Sequence, residues 1–146
     1  MTINLAGRVA IVTGAGGGLG RSHALALAAH GARIIVNDLG LEAAEQVVAE
    51  IRAAGGEASA WACSVTDRQA VADMVADTVA RWGTIDILVN NAGILRDRTF
   101  AKMDLDDFAA VIDVHLMGSV NVTKAAWPHM RDQTYGRIIF TTSSSG

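Results

Sequence analysis

Short runs rich in β-branched residues alternate along the chain with longer stretches in which apolar positions recur every three or four residues. Arg8-Val9-Ala10-Ile11-Val12-Thr13 and Ala32-Arg33-Ile34-Ile35-Val36-Asn37 read as buried strands, with a weaker strand at 57–62 and further strands at 85–89 and 137–142. Between them, 19–30 reads as a helix closed by Gly31, and 41–54 carries a stripe of Ala44, Val47, Val48, Ile51 and Ala54 before a Gly55-Gly56 stop. Thr66 with Gln69 three residues on predicts a capping box for the helix that bears Val71, Met74, Val75, Thr78, Val79 and Trp82 and ends at Gly83. A long helical region, 104–131, is interrupted at Gly118 and at Pro128. The proline has no N–H for the Lys124 carbonyl, so a kink or early end is expected there.

Strict alternation of this kind predicts an α/β fold: a doubly wound parallel sheet of five strands with helices on both faces, in a single domain over 1–146. Ligands in such sheets sit at the carboxyl ends of the strands, where the strand order reverses. The chemistry is therefore expected just after Thr13, Asn37, Ala62, Asn90 and Thr142. Composition narrows the setting. Of 146 residues, 51% are hydrophobic and 18% charged, too apolar for a disordered chain, and no run approaches the ~20 apolar residues of a membrane span. A net charge of −3 with no basic block argues against nucleic-acid or membrane partners. The first residues show no secretory signal, and a single cysteine, Cys63, excludes an internal disulfide and fits a reducing compartment. No His, Cys and carboxylate spacing suggests a metal site. His23, His30 and His129 read as surface or packing residues.

Thr13-Gly14-Ala15-Gly16-Gly17-Gly18-Leu19-Gly20 lies between the first strand and the first helix. Such a loop suits a diphosphate: side chains at Gly14 or Gly18 would keep backbone amides from the phosphates, and the helix N-terminus adds positive potential. A tight structural turn is the alternative. Asp38, at the end of the second strand, can accept both hydroxyls of an adenosine ribose and would repel a 2′-phosphate; Gly17 and Asn37 offer no cation to pair one. This predicts NAD rather than NADP, the alternative role of Asp38 being a helix N-terminal charge.

Thr-Gly-x-x-x-Gly-x-Gly at 13–20, Asn-Asn-Ala-Gly at 90–93 and the Gly-Arg-Ile-Ile strand leading to Ser143 together resemble the short-chain dehydrogenase/reductase family. Within it, Val36-Asn37-Asp38-Leu39-Gly40, the stretch from Asn90 to Phe100 and Val114-His115-Leu116-Met117-Gly118-Ser119 are most similar to (3R)-hydroxyacyl-CoA dehydrogenase domains. The resemblance implies that Gly14, Gly18, Leu19 and Gly20 hold a diphosphate, Asp38 the adenosine ribose, and Ser64 and Val65 the flanks of the adenine. It implies that Asn91, Ala92 and Gly93 support the sheet and line the nicotinamide ribose. Turn-forming amides that tie neighbouring strands are the other reading of Asn90 and Asn91. Ser143 matches the catalytic serine in preference to Ser144 and Ser145. His115 stands where the family commonly has Asn, as a catalytic residue or as an ordinary helix histidine.

The implied activity is hydride transfer between a 3-hydroxyacyl-CoA and NAD, with 3-oxoacyl-carrier-protein reductase and hydroxysteroid dehydrogenase as alternatives. The implied partner is a small, acyl-CoA-like substrate, in a full-length homo-oligomer that is cytoplasmic, or peroxisomal in a eukaryote. Arg96-Asp97-Arg98 is expected to meet a CoA ester or to form a surface ion-pair cluster. The family's Tyr-x-x-x-Lys pair would fall beyond Gly146, and Tyr135 is followed four residues later by Ile139 instead of lysine. The 146-residue piece is thus expected to lack acid/base catalysis, worth ~10²–10⁴ in rate, and to be nearly inactive. It reads as an incomplete domain whose strand at 137–142 forms an apolar edge. A cofactor-binding module without catalysis is the reading from a different class.

Overall fold

In the computed structural model, which describes residues 2–143, each strand places one set of alternating side chains on each face of a parallel sheet. The strands are β1 (Val9–Val12), β2 (Arg33–Asp38), β3 (Ala58–Ala62), β4 (Ile87–Asn90) and β5 (Arg137–Phe140), in spatial order β3-β2-β1-β4-β5 with every pairing parallel. This is the doubly wound α/β arrangement expected. Ala10, Val12, Ile34, Val36, Ile87 and Val89 face α1 (Gly18–Ala29) and α2 (Leu41–Ala53). Ile11, Ile35 and Leu88 face α3 (Arg68–Trp82) and α5 (Gly118–Gln133). The near-continuous apolar strands follow from this burial on both sides.

Three local expectations are corrected. The start of α3 is capped by Asp67, whose Oδ1 accepts the Ala70 amide at 3.0 Å. The Thr66–Gln69 capping box does not form, because Thr66 Oγ1 is 2.7 Å from Ser64 Oγ and Gln69 donates to Asp73. The long helical region is α4 (Leu105–Ile112), one π-helical turn at Asp113–Met117, and α5. Gly118 therefore marks a change of helix type, with its amide donating to the Asp113 carbonyl. It admits no side chain, since a Cβ there would lie 2.4 Å from Val65 Cγ2. Nor does Pro128 end α5, which runs to Gln133; Pro128 and Lys124 are both exposed, so water can take the unpaired carbonyl.

β5 lies at the sheet edge with Ile139 and Phe140 half exposed, and Leu105, Phe108, Ile112, Leu116, Val120 and Trp127 form an exposed apolar stripe along α4 and α5. No helix among the described residues is long and apolar enough to cross a membrane. The amino end of the sheet is tied by side chains. Asp86, 4% exposed, accepts from the Val9 amide at 2.9 Å, from Arg8 Nη1 at 3.2 Å and from Thr84 Oγ1 at 3.3 Å. Gln133 Nε2 donates to the Ile85 carbonyl, and Gln133 Oε1 accepts from Thr84 and from the Ile85 amide. Replacing Asp86 by Ala strands the Val9 amide and the Arg8 charge, and is expected to cost about 2–4 kcal/mol in urea-unfolding free energy.

Candidate functional site

β1 and β4 are neighbours, but the chain leaves β1 toward the face covered by α1 and leaves β4 toward the face covered by α5. A crevice must open where the crossovers diverge. The buried Thr13 hydroxyl spans this parting point. Its Oγ1 accepts the amides of Asn91 at 3.0 Å and Ala92 at 2.9 Å and donates to the Val89 carbonyl at 3.4 Å. The sequence places Thr13 at the strand end and at the head of the glycine motif without a role for its side chain; the hydroxyl, following an apolar strand, was the available signal.

The glycines of the loop divide by what surrounds them. Gly14 has φ +61°, and a Cβ there would lie 2.9 Å from Ala92 Cα; one on Gly20 would lie 2.2 Å from the Gly14 carbonyl oxygen. These two are small because the protein packs against them, a different reason from the ligand-side one expected for Gly14. A Cβ on Gly17 or Gly18 meets nothing within 4 Å. Gly17 is the N-cap of α1 and provides no side-chain cap, so the first amides of the helix at Gly18, Leu19 and Gly20 are left for another acceptor. Open space beside uncapped amides is what an anion requires.

A cleft of about 280 Å³ adjoins this loop. Of the residues expected at the site, Gly14, Asp38, Ser64, Val65, Asn91, Ala92 and Gly93 line it, whereas Gly18, Leu19, Gly20, His115 and Ser143 do not. Leu19 is exposed and Gly20 is buried beneath the loop. Asp38 Oδ2 accepts the Gly16 amide at 2.9 Å, and the Gly40 amide, at the N-cap of α2, lies 3.5 Å from Oδ1. The carboxylate thus joins the glycine loop to the start of α2 while lining the cleft. A Cβ on Gly16 would lie 2.7 Å from Asp38 Oδ2, so that glycine belongs to the carboxylate's seat.

Asn37, 1% exposed, fixes the next wall: its Nδ2 lies 3.1 Å from the Trp61 carbonyl, 3.2 Å from the Cys63 carbonyl and 3.4 Å from Cys63 Sγ. Burial pushes the Cys63 thiol up; the Asn37 hydrogen bond opposes this and the Asp67 charge adds to it. Cys63 therefore stays a neutral wall residue at pH 7. Val65 is 5% exposed, its side chain packs into the core against Gly118, and its carbonyl accepts from Asn121 Nδ2 at 2.9 Å. Asn91 Nδ2 donates to the Gly14 carbonyl at 3.3 Å, and Asn90 Nδ2 donates to Thr123 Oγ1 at 3.1 Å. Both bonds are ties within the protein. Among the described residues, Asn90 Oδ1 is buried without a partner.

His115 reaches the loop after β4, with Nε2 2.9 Å from the Ile94 carbonyl oxygen. Ser143 is exposed, three residues beyond β5, and its competitors Ser144 and Ser145 lie outside the described residues. Tyr135 lies at the opposite end of the sheet, its ring 3.7 Å from the Arg8 guanidinium and 4.7 Å from that of Arg137. Within the 96–98 loop, Arg96 pairs with Asp107 at 3.4 Å.

Fold and crevice define a Rossmann-like α/β domain with a nucleotide-type glycine loop. Residues 8–146 match the family model described as short chain dehydrogenase, and the chain belongs to that family of oxidoreductases. It is 52% identical over 149 aligned positions to peroxisomal multifunctional enzyme type 2 of Mus musculus, covering 96% of this chain and 20% of that protein. It is 46% identical to a 3-oxoacyl-[acyl-carrier-protein] reductase of Synechocystis sp., covering 97% of this chain and 58% of that protein. The solved structure of a 7α-hydroxysteroid dehydrogenase complexed with NADH and 7-oxo glycochenodeoxycholic acid superposes with a TM-score of 0.92 at 34% identity, over 97% of this chain and 55% of that one. The chain thus spans less than two thirds of each. The family and this neighbour point to a nicotinamide dinucleotide as cofactor.

Thr13→Val would leave the Asn91 and Ala92 amides without their acceptor, with an expected loss of about 1–3 kcal/mol by denaturant unfolding. Gly20→Ala should lower the melting midpoint through its clash with Gly14. Gly17→Ala, which meets no protein atom, should keep that midpoint and weaken NADH binding by fluorescence titration.

Proposed function

We propose that this chain is the dinucleotide-binding part of an NAD-dependent dehydrogenase that oxidises the secondary alcohol of a 3-hydroxyacyl-CoA. The observation that carries the cofactor choice is Asp38, a carboxylate lining the cleft and seated against Gly16 with no cation beside it on Gly17 or Asn37. The amides of Gly18, Leu19 and Gly20, with Gly14 beneath them, would hold the diphosphate. Asp38 would take the adenosine ribose, Ser64 and Val65 would flank the adenine, and Asn91, Ala92 and Gly93 would line the nicotinamide ribose. The uncapped start of α1 and the open space at Gly17 and Gly18 support this fit.

A bound nicotinamide would supply the acceptor for the hydride leaving the alcohol carbon, and the hydroxyl proton would pass to the tyrosine of the family's Tyr-x-x-x-Lys pair, which would fall beyond Gly146. The chain's own part is to exclude a 2′-phosphate at Asp38, to keep the cleft walls fixed through Thr13 and Asn37, and to bond the substrate oxygen through the Ser143 hydroxyl as its charge changes. His115 acts on the loop after β4. The resemblance of residues 36–40, 90–100 and 114–119 to (3R)-hydroxyacyl-CoA dehydrogenase domains supports the acyl-CoA substrate over the acyl-carrier and steroid alternatives, and likeness to a peroxisomal enzyme supports a peroxisomal setting in a eukaryote.

Titration should show NADH bound at least about tenfold more tightly than NADPH, a difference of ~1.4 kcal/mol, and near-equal affinities would overturn the assignment. Asp38→Asn should narrow the gap by weakening NADH. With the longer protein, turnover of 3-hydroxyacyl-CoA compared with acyl-carrier and steroid alcohols decides the substrate. Tight NADH binding there without turnover of any would favour a non-catalytic module.

A further inference from the structure

The π-helical turn at Asp113–Met117 brings His115 against the loop after β4, behind the cleft wall formed by Gly93 and Ile94. His115 Nε2 lies 3.0 Å from the amide nitrogen of Ile94 and 2.9 Å from the carbonyl oxygen of the same residue. A nitrogen of neutral imidazole carries either a proton or an available lone pair. It can donate to the carbonyl or accept from the amide, and it cannot do both at once. Nδ1 makes no hydrogen bond to any described residue, so solvent can supply or take the proton there. The ring is also held sterically. A Cβ on Gly93 would lie 2.4 Å from His115 Cε1 and 2.9 Å from Nε2, although the backbone of Gly93 is not left-handed.

We propose that His115 is a positioning residue that clamps the Gly93–Ile94 wall in two interchangeable states, set by which ring nitrogen holds the proton. With the proton on Nε2, the Ile94 carbonyl is engaged and its amide is released. With the proton on Nδ1, the amide is engaged and the carbonyl is released. Gly93 and Ile94 both line the cleft, so the tautomer decides which backbone group of the wall is left for a ligand. The inference rests on the reading of this cleft as the dinucleotide site. It differs from a fixed structural bond in requiring exchange. An asparagine amide could donate and accept together, and would hold one state.

The test uses the full 146-residue chain with ¹⁵N-labelled histidine. The His115 ring nitrogens, identified by their loss in His115→Asn, should show shifts averaged between the two tautomers, and saturating NADH should move them toward one. A single tautomer, unchanged by NADH, would overturn the proposal. Without any ligand, Gly93→Ala should lower the melting midpoint by about 3–6 °C when His115 is present and by much less in the His115→Ala background. Equal losses in the two backgrounds would also count against it. NADH affinity should fall about fivefold in His115→Ala, the worth of one hydrogen bond, and return to within about twofold in His115→Asn. Unchanged affinity in His115→Ala would remove the positioning role. If the wild-type chain binds no NADH, the reading of the site fails, and ligand-free tautomer averaging together with the Gly93 comparison still decides the clamp.

Discussion

Where two parallel strands part to send their crossovers to opposite faces, their ladder ends and backbone amides are left over. In this protein one hydroxyl takes up that surplus. Thr13 Oγ1 satisfies the amides of both Asn91 and Ala92 and returns its own proton to Val89, using its full hydrogen-bonding capacity. The crevice can be open because its floor is closed. The close approach of Gly14 to Ala92 and the Asn91–Gly14 bond depend on the same separation of β1 from β4. The cleft walls at Gly14, Asn91 and Ala92 are hung from that junction, and the Cys63 side is held by Asn37.

Much of the architecture was legible from periodicity. Alternation of β-branched strands with helical stripes implies a parallel sheet, and the glycine-rich turn and the acid after β2 singled out Gly14 and Asp38, whereas Ser64 and Asn91 came from the family resemblance. What escaped was local competition between equivalent polar groups. Thr66 and Asp67 both fit a helix cap, but the Thr66 hydroxyl is taken by Ser64 and the carboxylate wins. The π-helical turn leaves no mark in the apolar periodicity, and the close packing of Gly118 on Val65 joins parts of the chain far apart in sequence. Gly14 and Gly18 look alike in a motif, yet one faces protein and the other open space; only coordinates separate them.

The two ends of the sheet have different chemical characters. At the carboxyl end, carboxylate, amides and small residues face a cleft. At the amino end, Asp86, Arg8, Thr84 and Gln133 bond to one another and to the backbone, and Tyr135 lies between two guanidiniums. The single tyrosine of the sequence therefore has its ring against two cations, remote from the crevice. Family membership agrees with this polarity, because dinucleotides in doubly wound sheets are held at carboxyl ends.

The tethering at the amino end gives the domain a mechanical asymmetry. Side chains rivet β1, β4 and β5 together at their feet, while at their heads β1 and β4 are joined through Thr13 and the Asn91–Gly14 bond as their crossovers part. Like the ribs of a hand fan, such strands yield most easily by spreading at the tips. Any such spreading would widen the rim where the cleft lies and leave the base in register.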